Sequence, residues 1–157
     1  MTTTTAVKMP GTPPAWVNTA MRALLRTPGL RRILGRTFAV ITVTGARTGR
    51  RYSTPVQYLS VGPDYVVLSQ RGRKWWRNIR TRPQVELLVR GRTVTGRAEV
   101  ADHHSAPALL RTCLQQEPRV AKFYRVEVGT GAAVDPAGIE QLLERVVVIR
   151  ISPDPVS

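Results

Sequence analysis

The sequence predicts a mainly β protein with added helices (α+β), built as a six-stranded antiparallel barrel. Three observations favour this class. Six short runs are rich in β-branched and aromatic residues, and turn sequences such as Gly62-Pro63-Asp64 and Arg90-Gly91-Arg92 separate neighbouring runs. The helical patterns do not alternate with the strands, which disfavours a parallel sheet. The length of 157 residues suits one domain with one core.

The N-terminal region predicts a lead-in followed by an amphipathic helix. Residues 1–13 lack the apolar stretch of a signal peptide, and we expect them to be disordered. Pro13 and Pro14 open a helical pattern that Pro28-Gly29 ends, and Leu30–Leu34 adds a short helical turn. One face of the first helix is apolar and carries Trp16, Val17, Ala20, Met21, Leu24 and Leu25. We expect this basic helix to pack over a barrel end or to rest on an anionic membrane surface.

Five strands and a short helix are predicted in the middle of the chain. The β-rich runs are Phe38–Thr44, Tyr52–Val61, Tyr65–Gln70, Val85–Val89 and Thr93–Ala101. The first three runs follow one another as a meander, and the last two form a hairpin. Between these two groups, Lys74–Thr81 predicts a short helix that stops before Pro83.

The last third of the chain predicts helices and a closing strand. Asp102 is the expected N-cap of a helix that runs through Gln116, and two more helices are predicted over Pro118–Tyr124 and Pro136–Leu143. A sixth strand, Arg145–Ile151, is rich in Val and Ile. We therefore expect a domain over residues 14–151 and a tail at residues 152–157.

The positive charge is concentrated in the first two thirds of the chain. Residues 16–98 contain seventeen basic and two acidic residues, whereas residues 99–157 contain six basic and eight acidic residues. A partner with several negative charges, such as nucleic acid, anionic lipid or a polyanionic cofactor, would be drawn to the basic part. Clustered arginines favour bidentate recognition of phosphate or carboxylate.

No metal site is predicted. Cys113 is the single cysteine, which excludes an internal disulfide, and its apolar helical surroundings predict a core residue. His103 and His104 follow Asp102 at a helix start, where a surface cap is expected.

The longest uncharged apolar run, residues 37–46, is far shorter than the ~20 residues of a spanning helix. We therefore expect a soluble, cytoplasmic protein.

Two basic stretches follow β-rich runs and predict an anion-binding site. The first, Thr44–Pro55, reads TGARTGRRYSTP, and the second, Arg71–Pro83, reads RGRKWWRNIRTRP. Gly45 and Gly49 permit positive φ and close backbone approach, so successive N–H groups can line an anion site. The pattern lacks the Gly-Lys-Ser/Thr ending of a phosphate-binding P-loop. For the first stretch alone, a solvated hairpin loop is the alternative.

The second stretch adds a pair of adjacent tryptophans to the predicted site. At helical spacing Trp75 aligns with Ile79, and Trp76 aligns with Arg80. We therefore expect one indole to pack on the barrel and the other to cover a flat ring. Asn78 is expected either to hydrogen-bond a ring carbonyl or to cap its own helix.

The order of these motifs resembles the deazaflavin-dependent nitroreductase family of actinobacteria. The resemblance covers roughly residues 14–151 and rests on Val43–Gly45, Arg47–Arg50, Thr54-Pro55, the strand end at Ser69, Lys74–Asn78 and Pro83–Val85. It implies a split β-barrel of the FMN-binding-like kind, related to pyridoxamine-phosphate-oxidase-like flavin proteins. It also implies an oxidoreductase, of nitroreductase or quinone reductase type, that binds the 8-hydroxy-5-deazaflavin coenzyme F-420. The reduced coenzyme would donate hydride to a quinone, nitroaromatic or activated alkene.

The resemblance also implies the residues of the site. The phosphodiester and oligoglutamate tail of the coenzyme would be lined by Arg47, Thr48, Tyr52, Ser53, Thr54 and Pro55, with Gly49, Arg50 and Arg51 nearby in the same loop. The ring would be framed by Ser69, Gln70, Arg71, Lys74, Trp75, Trp76, Arg77 and Asn78. Tyr124, Ser69 or solvent would deliver the proton to the reduced acceptor. The chain departs from the family at Ala46 and Tyr52, where relatives often have basic residues, so Arg50 and Arg51 would have to compensate.

Other functions are also compatible with these residues. The charge and the interspersed aromatic residues favour a nucleic-acid-binding module, although the chain has no helix-turn-helix, zinc or RNA-recognition signature. The same barrel binding FMN or haem, or serving as a non-catalytic cofactor carrier, is the second alternative. Abundant arginine favours the deazaflavin with its carboxylate-rich tail over FMN with its single phosphate. Related barrels often form homodimers, which is a further expectation here.

Overall fold

A computed structural model describes residues 37–126, 129 and 134–156. Its six strands are β1 (Phe38–Thr44), β2 (Arg51–Val61), β3 (Asp64–Gln70), β4 (Gln84–Val89), β5 (Arg92–Val100) and β6 (Val146–Pro153). All neighbouring strands are antiparallel, and they close a barrel in the order β1-β2-β3-β6-β5-β4. The predicted fold class and the six-stranded antiparallel barrel are confirmed. The predicted N-terminal lead-in and helix lie outside the described residues.

Tight turns join the hairpins, and the last strand closes the barrel. Arg90 and Gly91 both have positive φ, at 50° and 79°, as a two-residue hairpin turn of type I′ requires. The β6 strand lies between β3 and β5 and extends two residues beyond its predicted end at Ile151. A Cβ at Gly96 would lie 2.6 Å from the carbonyl oxygen of Ser152. Glycine at that position therefore permits the extended pairing.

The barrel interior is filled by alternate residues of the strands. Strand side chains alternate between the two faces of a sheet, which places every second residue inside. The interior cluster includes Ala39, Ile41, Val43, Val56, Tyr58, Val67, Val85, Leu87, Val89, Ala98, Val147, Ile149 and Ile151. A 3-10 helix, Trp75–Arg80, follows β3 and adds buried Trp76 and Ile79 to this cluster. The predicted short helix at this position is confirmed.

Three helices cover the outer face of β2, β3 and β6. They are α1 (Ala106–Gln116), α2 (Pro118–Phe123) and α3 (Pro136–Leu143). Their apolar residues form a second cluster with Leu59, Leu68 and Val148. Cys113 lies inside this cluster, as predicted, and burial raises the pKa of its thiol to about 12.

The start of α1 differs from the prediction. Asp102 precedes the helix by a turn, where its Oδ1 accepts the backbone N–H groups of His104 and Ser105 at 3.0 and 2.8 Å. These hydrogen bonds, with the one from the Ser105 hydroxyl, lower the pKa of Asp102. In the part of the chain that the structure describes, no group of three or more His, Cys, Asp or Glu is placed to hold a metal. None of the helices described is long and apolar enough to traverse a bilayer.

Candidate functional site

A groove of about 670 Å³ lies between the β1–β2 loop and the 3-10 helix, and we call it the loop–helix groove. It is lined by Gly45, Ala46, Arg47, Thr48, Tyr52, Ser53, Thr54, Gly72, Arg73, Lys74, Trp75 and Asn78. The two basic stretches predicted from the sequence therefore meet in one place. The volume lies in the range of small-molecule sites.

The β1–β2 loop is held by its own hydrogen bonds. The backbone N–H of Gly45 donates to Arg50 O at 2.7 Å, and that of Gly49 donates to Gly45 O at 3.0 Å. The N–H of Arg50 donates to Thr48 Oγ1, and the N–H of Ala46 donates to a side-chain amide on the opposite wall. The predicted backbone anion site is wrong for these four N–H groups, because each already has an acceptor. Side chains must therefore supply the positive charge.

Gly45 allows a tyrosine to pack against the loop. A Cβ at Gly45 would lie 2.9 Å from Tyr52 Cε2 and 3.1 Å from Thr48 Oγ1. The hydroxyl groups of Tyr52 and Thr48 lie 3.5 Å apart, at the limit of a hydrogen bond. The absence of a side chain at residue 45 thus lets the Tyr52 ring form part of the groove wall.

Asn78 links the two walls of the groove. Its Oδ1 accepts the N–H of Ala46 at 3.0 Å, and its Nδ2 donates to the carbonyl oxygen of Trp75 at 3.0 Å. The Asn78 amide therefore connects the β1–β2 loop to the 3-10 helix and holds the backbone of Trp75, whose indole lines the groove. Asn78 was predicted to hydrogen-bond a ring carbonyl or to cap its own helix, and its side chain instead bonds the backbone of Trp75 and Ala46.

The two tryptophans face different surroundings. Trp76 and Ile79 are 5% and 1% exposed and lie in the barrel core, whereas Trp75 is half-buried and lines the groove. The prediction that one indole packs on the barrel is confirmed. The predicted alignment of Trp75 with Ile79 is wrong, because residues three apart share a face in a 3-10 helix. Among the described residues, neither indole Nε1–H has a hydrogen-bond acceptor.

The ionisable lining of the groove is mostly cationic. Arg47 and Lys74 are exposed, and Arg73 is half-buried with its Nη2 donating to Thr54 Oγ1 at 3.0 Å. Burial lowers the pKa of the Arg73 guanidinium. No Asp or Glu is among the lining residues, so an anion in the groove would meet no repulsive carboxylate there.

Eight of the residues predicted for the site line the groove, and ten do not. The lining residues are Arg47, Thr48, Tyr52, Ser53, Thr54, Lys74, Trp75 and Asn78. The predicted residues outside the lining are Gly49, Arg50, Arg51, Pro55, Ser69, Gln70, Arg71, Trp76, Arg77 and Tyr124. The coenzyme-binding residues implied by the family resemblance do not include Ala46, Gly72 or Arg73, although all three lie in the two basic stretches, and Gly45 was predicted only as part of the anion-binding loop.

Several predicted residues make other contacts. The Arg51 guanidinium forms an ion pair with Glu86 at 2.6 Å. Arg71 Nη2 donates to the carbonyl oxygens of Leu143 and Val146 at 2.8 and 3.2 Å. The Arg77 guanidinium lies over the Trp76 ring, 5.6 Å from its centroid. Arg51 and Arg71 therefore join separate elements of the fold, whereas Arg77 covers the ring of its neighbour in the 3-10 helix.

The two predicted proton donors are buried outside the groove lining. Ser69 is 4% exposed, and its hydroxyl donates to Gln70 O at 3.4 Å. Tyr124 is 8% exposed and belongs to the cluster beneath the helices. Burial raises the pKa of the Tyr124 hydroxyl to about 12, which keeps it protonated in neutral solution.

The residues of the groove fit a flat ring with an anionic tail. Trp75 lines the groove and offers a flat apolar face, whereas its Nε1–H is buried within the protein. Arg47 and Lys74 are free of ion pairs among the described residues and are open to solvent. A deazaflavin with a phosphodiester and carboxylates has the matching features.

The fold is similar to that of several solved structures at low sequence identity. An F420-H2 dependent reductase is 15% identical with a TM-score of 0.51, and the match covers 74% of this chain and 94% of that one. HutZ, the heme storage protein from Vibrio cholerae, is 15% identical with a TM-score of 0.55, covering 83% and 92%. A structure described as a domain-swapped dimer is 16% identical with a TM-score of 0.53, covering 87% and 96%. These likenesses confirm the split-barrel fold.

A family model identifies the protein more specifically. No curated protein sequence matches the chain. The model of the family described as F420H(2)-dependent quinone reductase matches residues 16–134, which is more than half of the chain and includes every residue that lines the groove. The family resemblance inferred from the sequence motifs is thereby confirmed. The chain belongs to this quinone reductase family and is an oxidoreductase whose cofactor is coenzyme F-420.

Proposed function

We propose that the loop–helix groove binds reduced coenzyme F-420 and that the protein transfers a hydride to a quinone. Nitroaromatics and activated alkenes are further proposed acceptors, because they too accept hydride at an electron-poor atom. One observation carries the proposal: the groove joins a flat indole wall to three cationic side chains and contains no carboxylate in its lining. We take residues 14–151 as the domain responsible.

Charged residues at the rim would hold the tail of the coenzyme. Arg47 and Lys74 lie on opposite walls and are both exposed, so they can reach hydrated phosphate and carboxylate groups. Arg50 is also exposed and lies in the same loop. Because exposed charges are screened by salt, this part of the affinity should fall as ionic strength rises.

The indole wall would hold the ring. Trp75 supplies a flat face for stacking, and Asn78 fixes the backbone carbonyl of Trp75. When bound, the coenzyme supplies the hydride. The protein's contribution is orientation, which lowers a barrier by ~7 to 11 kcal/mol in well-aligned cases. An acid–base triad is therefore not required.

We propose solvent as the source of the proton that completes the reduction. The groove is open to water at the rim formed by Arg47 and Lys74. Ser69 and Tyr124 were predicted as donors, and both lie outside the groove lining. Turnover by Ser69→Ala and Tyr124→Phe variants at the wild-type rate would support solvent delivery, whereas a large loss of turnover with unchanged coenzyme affinity would favour the mutated residue.

The binding proposal is tested by titrating coenzyme F-420 into wild type and an Arg47→Ala, Lys74→Ala double variant, with fluorescence quenching as the readout. The matched control is Arg82→Ala, Lys122→Ala, which removes the same two charge types from exposed positions outside the groove. We expect the double variant to lose about tenfold or more in affinity, since hydrogen bonds to charged groups contribute ~1.5 to 3 kcal/mol before screening. Equal affinities for all three proteins would overturn the proposal.

Turnover assays would then test the acceptor class. Menadione represents quinones, and a nitroaromatic compound represents the nitroreductase activity predicted from the sequence. Reduction of menadione with consumption of reduced coenzyme supports the quinone assignment. Reduction of the nitroaromatic alone would assign the enzyme to the nitroreductase type instead.

The alternatives differ in what the groove must contain. Both histidines of the chain, His103 and His104, lie before α1 and outside the groove, with their ring centroids 3.9 Å apart and their planes tilted by 40°. This arrangement disfavours histidine-ligated haem in the groove. FMN remains the alternative ligand, and it is distinguished by the colour and fluorescence of the purified protein. Nucleic-acid binding without saturable F-420 binding would favour the basic-module alternative.

We further propose a cytoplasmic homodimer. The domain-swapped dimer among the structural neighbours supports the dimer, and light scattering of the purified protein tests it. Membrane contact through the amphipathic helix that the sequence predicts near the N-terminus is a separate proposal from the sequence pattern. Sedimentation with anionic vesicles, compared between the full chain and one with Trp16→Ala and Leu24→Ala, tests that contact.

A further inference from the structure

Arg73 is the most enclosed cationic side chain of the loop–helix groove. It is half-buried, whereas Arg47 and Lys74 are exposed. Its guanidinium donates to Thr54 Oγ1 at 3.0 Å, and Thr54 is 7% exposed. Thr54 shares the interior face of β2 with Val56, because alternate strand residues point the same way. The guanidinium of Arg73 is therefore directed toward the mouth of the barrel.

Arg73 has no carboxylate partner within the described residues. The ion pairs found there join Arg51 to Glu86 and Arg150 to Glu99. A guanidinium has five N–H donors, and the neutral hydroxyl of Thr54 accepts one of them. Burial lowers the pKa of Arg73, which reflects the cost of keeping a partly desolvated charge. A bound anion would offset this cost.

The exposed and the half-buried cations of the groove would meet different negatively charged groups of the ligand. The exposed rim of Arg47 and Lys74 suits phosphate and carboxylate groups that stay hydrated. The inner part, where half-buried Trp75 and Arg73 both line the groove, suits the flat ring system. The ring of an 8-hydroxy-5-deazaflavin carries a conjugated hydroxyl and carbonyl oxygens, which share the negative charge once the hydroxyl has lost its proton.

We propose that Arg73 forms an oxyanion subsite at the inner end of the groove and stabilises the ionised form of the deazaflavin ring. This inference rests on the proposed function, since it requires the groove to hold coenzyme F-420. The other ionisable groups of the lining are Arg47, Tyr52 and Lys74, with no carboxylate among them. Arg47 and Lys74 act in the same direction as Arg73 but are exposed, so solvent screens them more strongly.

The test is a spectrophotometric pH titration of oxidised coenzyme F-420 bound to the protein, using the absorbance change on loss of the hydroxyl proton. Wild type, Arg73→Met, Arg73→Lys and Arg82→Met are compared at saturating protein. Arg82 is exposed, lies outside the groove and serves as the control for loss of one positive charge. Coenzyme affinity is measured for each protein under the same conditions.

Wild type should bring the midpoint of the titration below that of the free coenzyme. Arg73→Met should raise the midpoint by about one pH unit or more, as expected for removal of a nearby opposite charge. Arg73→Lys should recover part of the shift, and Arg82→Met should match wild type. If Arg73→Met does not fold, as judged by circular dichroism, Arg73→Gln provides a neutral side chain that retains a hydrogen bond to Thr54.

The outcomes separate this inference from the proposed function. If coenzyme F-420 binds and the midpoint is the same in wild type and in the neutral Arg73 variant, the oxyanion subsite is overturned and the groove assignment stands. If wild type does not bind the coenzyme, both fail. A raised midpoint with Arg73→Met that is absent from Arg82→Met supports the subsite.

Discussion

The side-chain oxygen Oδ1 of Asn78 accepts a hydrogen bond from the backbone N–H of Ala46 at 3.0 Å, between residues 32 positions apart in sequence. The amide nitrogen of Asn78 donates to Trp75 O, within the same 3-10 helix. The loop that would meet the coenzyme tail and the residue that would meet its ring are therefore joined by a single side chain. We therefore expect the width of the groove to depend on this amide.

Replacing Asn78 should weaken coenzyme binding without unfolding the barrel. Asn78→Ala removes both hydrogen bonds and leaves the partly buried N–H of Ala46 without its acceptor. We expect the binding free energy of coenzyme F-420 to weaken by ~1 kcal/mol or more, which is roughly fivefold in affinity. Asn78→Asp keeps the acceptor but places a negative charge in a groove lined by cations. We therefore expect the affinity for F-420 to fall further with Asp than with Ala, as measured by titration.

Thermal unfolding provides the control for this prediction. Both Asn78 variants should remain folded, because the barrel core does not include the amide. An affinity for F-420 equal to that of wild type in both variants would show that the link between the walls does not shape the binding site.

Gly96→Ala should destabilise the barrel. A Cβ there would lie 2.6 Å from Ser152 O and 3.1 Å from the Cα of Pro153, and both are backbone atoms of the neighbouring strand β6. We expect a loss of ~2 kcal/mol or more in the free energy of unfolding, as for other overpacked positions. Gly72→Ala is the matched control, since nothing lies within 4 Å of its added Cβ. Similar denaturation midpoints for the two variants would contradict the close approach of β6.

Arg71→Met should lower stability and leave coenzyme affinity unchanged. The guanidinium binds the carbonyl oxygens of Leu143 and Val146, where α3 ends and β6 begins. Loss of these two hydrogen bonds should lower the free energy of unfolding by about 1 to 2 kcal/mol. The loss should not be larger, because the contact is partly exposed. The sequence resemblance instead places Arg71 around the ring. Weaker F-420 binding with unchanged stability would favour that role.

Cys113 should be unreactive in the native protein. Burial raises the pKa of its thiol from 9.0 to about 12, so the reactive thiolate is scarce at pH 8. The thiol pKa is higher in the folded than in the unfolded protein. Its contribution to the free energy of unfolding is therefore fully present below pH 9 and is lost as the pH rises toward 12. Labelling with a thiol reagent should require denaturant, and rapid labelling under native conditions would contradict the burial. In Cys113→Ala, this part of the alkaline loss of stability should disappear.

The strands could be predicted because their pattern is local. Ala39, Ile41 and Val43 alternate with residues of the outer face, and Gly62 and Gly91 mark the turns. The position of β6 between β3 and β5 could not be read in the same way, since pairing between distant segments leaves no local pattern. The predicted alignment of Trp75 is wrong for a related reason. The sequence indicates a helix at Lys74–Thr81 but does not show whether one turn of this helix has three residues or 3.6.

The site could be predicted as two stretches but not as individual arginines. Arg51, Arg71 and Arg73 occupy similar local sequences, yet their partners are Glu86, the carbonyl oxygens of Leu143 and Val146, and Thr54. Each partner lies at least nineteen residues away. Which guanidinium enters the groove is therefore decided by the folded barrel.

The strand order has a consequence for biosynthesis. Because β6 follows the other five strands in sequence yet lies between β3 and β5, the ribosome releases both of its neighbours before the segment that joins them. Until then, each of those two edges exposes unpaired backbone groups, which is the situation that favours intermolecular association. A nascent chain of this protein must remain shielded from its own copies until its sixth strand has emerged.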